Sequence, residues 1–496
     1  MGAYQQGLKL SAAGRHLAAI ECFEQALAAQ PDDTKVLFAL GNTARVLDMP
    51  GPAEQFFRRV LAAEPERIEA LVNLANLLRA QGSIEGAILL LQPALSRHPD
   101  VPELWLTLGS AYRELGQDTA AAELYRGALA RRPDYPQALG NLADLMADGG
   151  DIEGALALYD RALSGDGDPQ TRLNRAVLHL LCGNLKQGWR DYSARTKLAN
   201  KVPPPEHRLE RWTGGRIRRL LVSAEQGVGD QIMFASCIPE LAARAATEGG
   251  ALLLECEPRL VALFARSFPD IVVRPSDWQT KGGVTRAHYD WLKSAGGANH
   301  FIEMGSVPRI LRPKLAAFPR EHAYLKPDIG EMVRWQGIFA AGSGPITGIC
   351  WRSGKSGGHR AVQYAPLAAW AQFLRDLPGT IVCAQYDATS EEVAQLEELS
   401  ERKIFVPSGL DQKNELDRTA AMLSALDAVV SAPTAVSWLA AACGVPTAKI
   451  LYDTSWTSFG ETHEPFAPAC HCAMPKRRGD WSSAFARAKE LLTTQL

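Results

Sequence analysis

Residues 220–245 read LLVSAEQGVGDQIMFASCIPELAARA. Leu220-Leu221-Val222 is a short apolar run suited to a buried strand, and from Ile232 onward the apolar residues fall at helical spacing. Two glycines and an acid lie between. A strand passing into a helix through a tight glycine turn is the unit from which parallel sheets are built. Gly227 and Gly229 allow unusual dihedrals and the close approach of a ligand to the backbone. Asp230 stands near the start of the helix, where the dipole favours an anion, so a helix cap explains it as readily as chemistry does. At the mouth of a cleft, the same carboxylate could deprotonate an acceptor hydroxyl. Pro239 falls inside the following apolar run and is expected to kink it.

The surrounding sequence repeats this alternation. RLLVSA, ALLLEC and IVVRP form one series of strand-like runs separated by helical stretches, and ITGICW, TIVCAQ, KIFVP, DAVVSA and TAKIL form a second. Residues 326–345, KPDIGEMVRWQGIFAAGSGP, separate the two series and end in a glycine-rich segment that could act as a hinge. Strands alternating with helices imply parallel sheets covered on both faces. Two doubly wound halves facing each other bind ligands in the cleft at the carboxyl ends of their strands.

Two further loops follow strands in the second series. Arg352-Ser353-Gly354-Lys355-Ser356-Gly357-Gly358-His359-Arg360 mixes cations with glycine and serine, which suits either a phosphate-binding loop or a solvated surface turn. Its spacing is not that of a Walker loop. Ser431-Ala432-Pro433-Thr434-Ala435-Val436-Ser437 leads into a helix rich in small residues, with Pro433 suited to its first turn. Backbone N–H groups there, with the Thr434 hydroxyl, could hold a phosphate. A plain strand–helix corner accounts for the same residues.

The first part of the chain has a different rhythm. Pro31, Pro65, Pro99 and Pro133 recur at 34 residues, and Gly7, Gly41, Ala75, Gly109 and Ala143 keep the same phase. So do Ala19, Ala53, Ala87, Ala121 and Ala155, each followed four residues later by Phe23, Phe57, Leu91, Tyr125 or Tyr159. The pattern resembles the tetratricopeptide repeat, in which small residues let two helices approach and large ones fill the space between them. Stacked units leave a concave groove that holds a protein segment or, alternatively, act only as a spacer or dimer surface. Beyond Pro169, TRLNRAVLHLLCGN and LKQGWRDYSAR form a divergent last pair of helices, and KLANKVPPPEHRLERW (197–212) reads as a stiff linker.

Composition narrows the function. The chain of 496 residues is 46% hydrophobic and 22% charged, with a net charge of −2, so no basic surface for nucleic acid is expected. No secretion signal or membrane span is read from the sequence, which suits a cytoplasmic protein. The nine cysteines are irregularly spaced and suit reduced, buried thiols. Cys470-His471-Cys472 is too crowded for a zinc site, and no metal is expected.

Together GWRDYSAR, the linker ending in Trp212, the opening stretch, GICWRSGK, AVVSAPTAVSWLAAACGVPT and a late GDW resemble bacterial tetratricopeptide proteins fused to a glycosyltransferase domain related to the heptosyltransferases. The resemblance implies an α-solenoid (1–196, with C-terminal capping helices), a linker (197–212) and a GT-B transferase. That transferase comprises two Rossmann-like halves, an acceptor half at 213–335 and a nucleotide-sugar donor half at 336–496. It assigns Asp230 as general base, with Glu225, Gln226, Gly227 and Gly229 in the acceptor-side loop. Arg352, Ser353, Lys355, His359, Arg360, Ser431, Thr434 and Ala435 would bind the donor, without an essential metal or cofactor. Relatives carry Asp-Thr-x-x-x-His where this chain has Pro433-Thr434-Ala435-Val436-Ser437-Trp438, which argues against an ADP-heptose-like donor. A narrower resemblance, to flagellin glycosyltransferases, implies a CMP-activated nonulosonic acid of the pseudaminic type as donor and flagellin as the acceptor held by the repeats. Two alternatives stand beside it: a repeat scaffold with an inactive transferase domain, and a lipopolysaccharide or glycan transferase of the heptosyltransferase kind.

Overall fold

The 34-residue phase produces helix pairs, Thr34–Val46 with Pro50–Ala63, Ile68–Ala80 with Ile84–Arg97, and Pro102–Glu114 with Asp118–Arg131 among them. The structure is a computed structural model, describing residues 2–165, 167–198, 205–225, 227–281, 284–320, 323–354 and 362–495. The chain divides into two units, Met1–Thr171 and Arg172–Leu496.

In the first unit the recurring residues meet as their sizes require. A Cβ on Gly41 would stand 2.7 Å from the Phe57 ring, and one on Gly109 would stand 2.7 Å from Tyr125. Phe57, Tyr125 and the alanines 19, 53, 87, 121 and 155 are all 0% exposed. No single pair could bury these faces, so stability comes from stacking. The stacking is also polar: Asn73 donates to Asn42 at 2.9 Å and Arg113 to Asp144 at 3.2 Å, in each case from one repeat to the next.

The boundary at 171/172 places the two divergent helices, Pro169–Leu181 (from Arg172 on) and Leu185–Tyr192, with the second unit rather than with a solenoid ending at 196. Leu173, Leu180, Trp189 and Tyr192 belong to that unit's main core. Trp189 donates to the Arg312 carbonyl at 3.0 Å and meets Phe459 and Phe466 edge-on.

The second unit contains β1 (Glu210–Arg211), β2 (Arg219–Ser223), β3 (Ala251–Cys256), β4 (Val272–Pro275), the hairpin β5 (Asp277–Lys281) and β6 (Val284–His288), and β7 (His300–Glu303). The strands β1-β7-β2-β3-β4 make one sheet in that order, parallel throughout. The end of the expected linker thus enters this sheet: β1 is its edge strand and Trp212 is buried. A second sheet takes β8 (Ile346–Cys350), β9 (Thr380–Cys383), β10 (Ile404–Phe405), β11 (Ala428–Ser431), β12 (Thr447–Ile450), β13 (His463–Glu464) and β14 (Ala467–Ala473). Its order is β10-β9-β8-β11-β12-β14-β13, antiparallel only at β13.

Three local expectations change. Pro239 does not kink a helix: one helix, Val228–Ala235, ends, and Pro239 lies in the first turn of the next, Ile238–Thr247, where its missing N–H has no helical partner to lose. The proposed border at 335/336 falls inside the helix Ile329–Phe339, whose Trp335 and Phe339 are buried. Cys470-His471-Cys472 lies in β14, so the strand period of two turns both cysteines into the core and His471 away from them.

Candidate active site

Both sheets are open and, apart from β13, parallel, so the carboxyl ends of their strands are where ligand chemistry is expected. At the end of β2, Glu225 is buried and receives both sides of the Arg195 guanidinium, Nε at 3.0 Å from Oε2 and a second donor on Oε1. The Gly305 N–H donates to it at 2.6 Å. Burial opposes the charge on Arg195, but Glu225 overrides this and holds the guanidinium above its ordinary pKa. Glu225 is therefore a structural anchor: it ties the turn to the 3-10 helix Ser193–Lys197.

Asp230 is the third residue of the helix Val228–Ala235, and its carboxylate accepts the Gly227 N–H at 3.3 Å. It is half-buried. The turn is also fixed to the end of β3: Ala224 N–H donates to Glu255 Oε2 at 3.0 Å, and Glu257 N–H donates to Gln231 Oε1 at 2.8 Å. Gln226 lies outside the described residues.

The opposite wall is the helix Ala435–Ala442, which follows β11. Thr434 is its N-cap and accepts the Val436 N–H at 3.3 Å, so Pro433 precedes the helix instead of lying in its first turn. Ser431 is fully buried: it donates to the Ala432 carbonyl at 2.6 Å and lies 3.3 Å from the Thr434 hydroxyl. Cys350, at the end of β8, reaches the same hydroxyl at 3.5 Å. The two walls meet. A Cβ on Gly229 would stand 3.5 Å from both the Ala435 Cα and the Trp438 ring. A side chain larger than hydrogen at 229 would therefore fill the contact between the two helix starts.

Trp438, where relatives of the resembling family carry histidine, has the Lys449 ammonium 4.6 Å from its ring centre. Lys449 is buried and paired with Glu464. Burial opposes its charge, and Glu464 more than restores it, holding the ammonium above its usual range.

Arg352, expected to face a donor phosphate, is engaged by two carboxylates instead. Its Nε and Nη2 bind Glu392 at 2.6 and 2.7 Å, and Nη1 binds Asp387 at 2.9 Å. Hydrogen bonding to Arg352 holds the Glu392 carboxyl below its ordinary value, so the cation is already matched. Ser353 lies 3.5 Å from the Tyr386 hydroxyl, to which Gly354 N–H also donates. Lys355, His359 and Arg360 lie outside the described residues.

Sequence reading passed over Gln385, Tyr386 and Asp387, which follow β9. Gln385 Oε1 accepts the N–H groups of Trp351 and Arg352 at 3.0 Å each, and so shapes the loop from below. Their position directly after the apolar run TIVCA was the available signal. A separate cavity of 670 Å³, lined by His179, Lys186, Arg190 and Lys314 among others, holds none of the predicted site residues.

With this geometry in place, known proteins add the following. The tetratricopeptide repeat model matches residues 4–68, 51–102, 72–136 and 106–170. The first unit is a tetratricopeptide solenoid. Protein FlbA of Caulobacter vibrioides is 32% identical over 341 residues, 67% of this chain and 57% of its own length. The chain thus spans a little over half of that relative, and 341 residues exceed what the first unit holds, so the similarity runs into the second. Among solved structures, a thermophilic tetratricopeptide protein of Thermus thermophilus is 29% identical, with TM-score 0.32, covering 36% of this chain and 97% of its own. The pilF protein of Pseudomonas aeruginosa is 20% identical, with TM-score 0.33, covering 39% and 86%. Among the described residues no helix is long and apolar enough to cross a membrane, and no three His, Cys, Asp or Glu side chains are grouped to hold a metal ion.

Proposed function

We propose that the chain is a protein glycosyltransferase of GT-B architecture, in which the solenoid holds a protein acceptor and the second unit transfers a sugar to a Ser or Thr hydroxyl. The observation that carries this reading is the meeting of two helix starts, Val228–Ala235 and Ala435–Ala442, from two separate parallel sheets. One brings a carboxylate, Asp230. The other brings backbone donors capped by Thr434, a place that favours a phosphate or carboxylate. In transfer, Asp230 takes the acceptor hydroxyl proton while that oxygen attacks the anomeric carbon, and the nucleotide leaves toward the Thr434 helix.

The donor we favour is a CMP-activated nonulosonic acid, and the acceptor flagellin. Both follow from the resemblance carried by the sequence motifs. A single phosphate and a sugar carboxylate need anion donors, whereas the missing Asp and His at positions 433 and 438 weaken the case for a heptose. A second reading, a scaffold whose transferase unit is inactive, is favoured by Arg352, whose charge is spent on Glu392 and Asp387.

Thermal shift against CMP-, UDP-, GDP- and ADP-sugars, followed by mass measurement of the acceptor, separates the two. Stabilisation by one donor class and an acceptor mass gain that is lost in Asp230→Ala supports the transferase. No shift with any donor, and unaltered acceptor binding after deletion of the second unit, supports the scaffold.

A further inference from the structure

Three carboxylates end neighbouring strands of the first sheet: Glu225 after β2, Glu255 in β3 and Glu303 in β7. Two have an arginine. Glu225 is paired with Arg195, and Glu303 with Arg211. Glu255 is 0% exposed and, among the described residues, has no cationic partner. Arg274, its neighbour in register on β4, turns its guanidinium to the Val273 carbonyl at 3.1 Å.

The contacts of Glu255 are both donors from elsewhere. Ala224 N–H, in the turn that leads to Asp230, reaches its Oε2 at 3.0 Å, and so does the Tyr289 hydroxyl, just past the β5–β6 hairpin. Among the described residues, its other oxygen, Oε1, is buried without a hydrogen-bond partner, and no cation acts on this carboxyl. Asp277 on β5 repels a carboxylate here, burial lowers the pKa of His207, whose ring lies 4.7 Å from Tyr289, and burial pushes the Tyr289 hydroxyl up. Glu206 on the preceding segment is paired with His288.

We infer that Glu255 is a positioning residue that, as a neutral acid, clamps the acceptor-side turn through Ala224 and the covering segment through Tyr289. Its proton resides on Oε1, leaving Oε2 to accept both donors. The two donors favour the ionised form, but burial outweighs them; loss of the proton leaves a charge with no cation in a dry site, and that charge draws water in between the turn and the cover. Burial, the largest influence, sets the transition near neutrality by raising the carboxyl to about 7. The Gln231–Glu257 bond restrains the turn beyond Ala224, so release is local to Ala224 and the segment around Tyr289.

The inference that this clamp serves transfer rests on the proposed function, but the clamp is tested without any donor. Hydrogen exchange by mass spectrometry on the full chain follows peptides spanning 220–231 and 284–292 from pH 6 to 8.5, corrected for intrinsic exchange. Wild type is expected to lose tenfold or more of its protection there as pH rises. Glu255→Gln, a neutral isostere with an acceptor oxygen, is expected to keep the pH 6 protection throughout, and Glu255→Ala to lack it at every pH. The clamp is overturned if wild-type protection does not change with pH, or if the glutamine variant exchanges like the alanine one. Should the alanine variant fail to fold, wild type against glutamine decides alone. If the clamp behaves as expected but no sugar nucleotide is used, only the transferase reading fails.

Discussion

Arg195 and Glu225 join two motifs that lie 30 residues apart in the chain, GWRDYSAR and AEQGVGD, through a two-donor ion pair in which both side chains are 1% exposed. The arginine also stacks 4.7 Å from the Tyr192 ring centre and donates to Ser306 at 2.9 Å. The divergent helices after the solenoid therefore brace the turn that carries Asp230.

Removing one member of such a pair strands a buried charge, which typically costs about 3–5 kcal/mol, whereas replacing both by apolar residues is often neutral. Arg195→Ala should thus destabilise the second unit strongly, and Arg195→Met with Glu225→Gln, which keeps an acceptor for the Gly305 N–H, should recover most of the loss. Calorimetric melting of the three proteins measures this. A double variant no more stable than the single one would count against the pair as a compensated charge.

Asp230 separates stability from chemistry. As a helix-start carboxylate that accepts the Gly227 N–H at 3.3 Å, it gains roughly 0.3–1 kcal/mol from the helix dipole. As a general base it is worth about 10²–10⁴ in rate. Asp230→Ala should melt within a few degrees of wild type and transfer at least a hundredfold more slowly. Wild-type turnover in the variant would remove Asp230 from the mechanism.

The solenoid was legible residue by residue, because the pairing of Gly41 with Phe57 and Gly109 with Tyr125 depends only on size and on a fixed period. The apolar strand runs were legible for the same reason. What escaped were elements without an apolar signature: the hairpin Asp277–Lys281/Val284–His288, the strand His300–Glu303 and the two-residue edge at Glu210. The site was legible only as positions. That Arg352 is consumed by Asp387 and Glu392 depends on partners 35 and 40 residues away, and that Glu255 lacks a cation among the described residues depends on an absent neighbour. Local sequence carries neither.

At Gly109 the solenoid makes a quantitative demand. Any β-carbon there overlaps Tyr125, which is itself 0% exposed and cannot swing to solvent. Overpacking of this kind costs about 1–3 kcal/mol. Gly109→Val should lower the urea midpoint of the solenoid transition, while Gly116→Ala, a left-handed position with open space around its Cβ, should cost less through steric crowding and act mainly through backbone strain. Urea titration followed by far-ultraviolet circular dichroism checks the ranking.

The thiols packed inside the second unit should be nearly inert in the native protein. Burial pushes Cys237 and Cys383 up to about 11 and Cys350, Cys443 and Cys470 up to about 12, leaving almost no thiolate at pH 8. Cys182 is exposed and should be the first to react with a disulfide reagent. Mass mapping of native labelling at pH 8 should find it well ahead of these five, and rapid labelling of Cys350 or Cys470 would contradict the packing around β8 and β14.

Glu255 should impose a pH dependence on folding, separate from its local effect on exchange. Its carboxyl titrates near 7 when folded, against an ordinary value of 4.5. Between those values the folded chain holds a proton that the unfolded chain has released, so the contribution of Glu255 to stability is fully present below pH 4.5 and falls as pH rises toward 7. Above 7 both states are ionised and the loss is complete, on the order of 3 kcal/mol from the difference in the two values. Glu255→Gln has no proton to lose, so its stability relative to wild type should climb from pH 5 to pH 8 by roughly that amount. Urea denaturation of both proteins at half-unit steps measures the difference directly. Parallel curves across that range would show that Glu255 is ionised in the folded protein at pH 5 and that its burial is compensated.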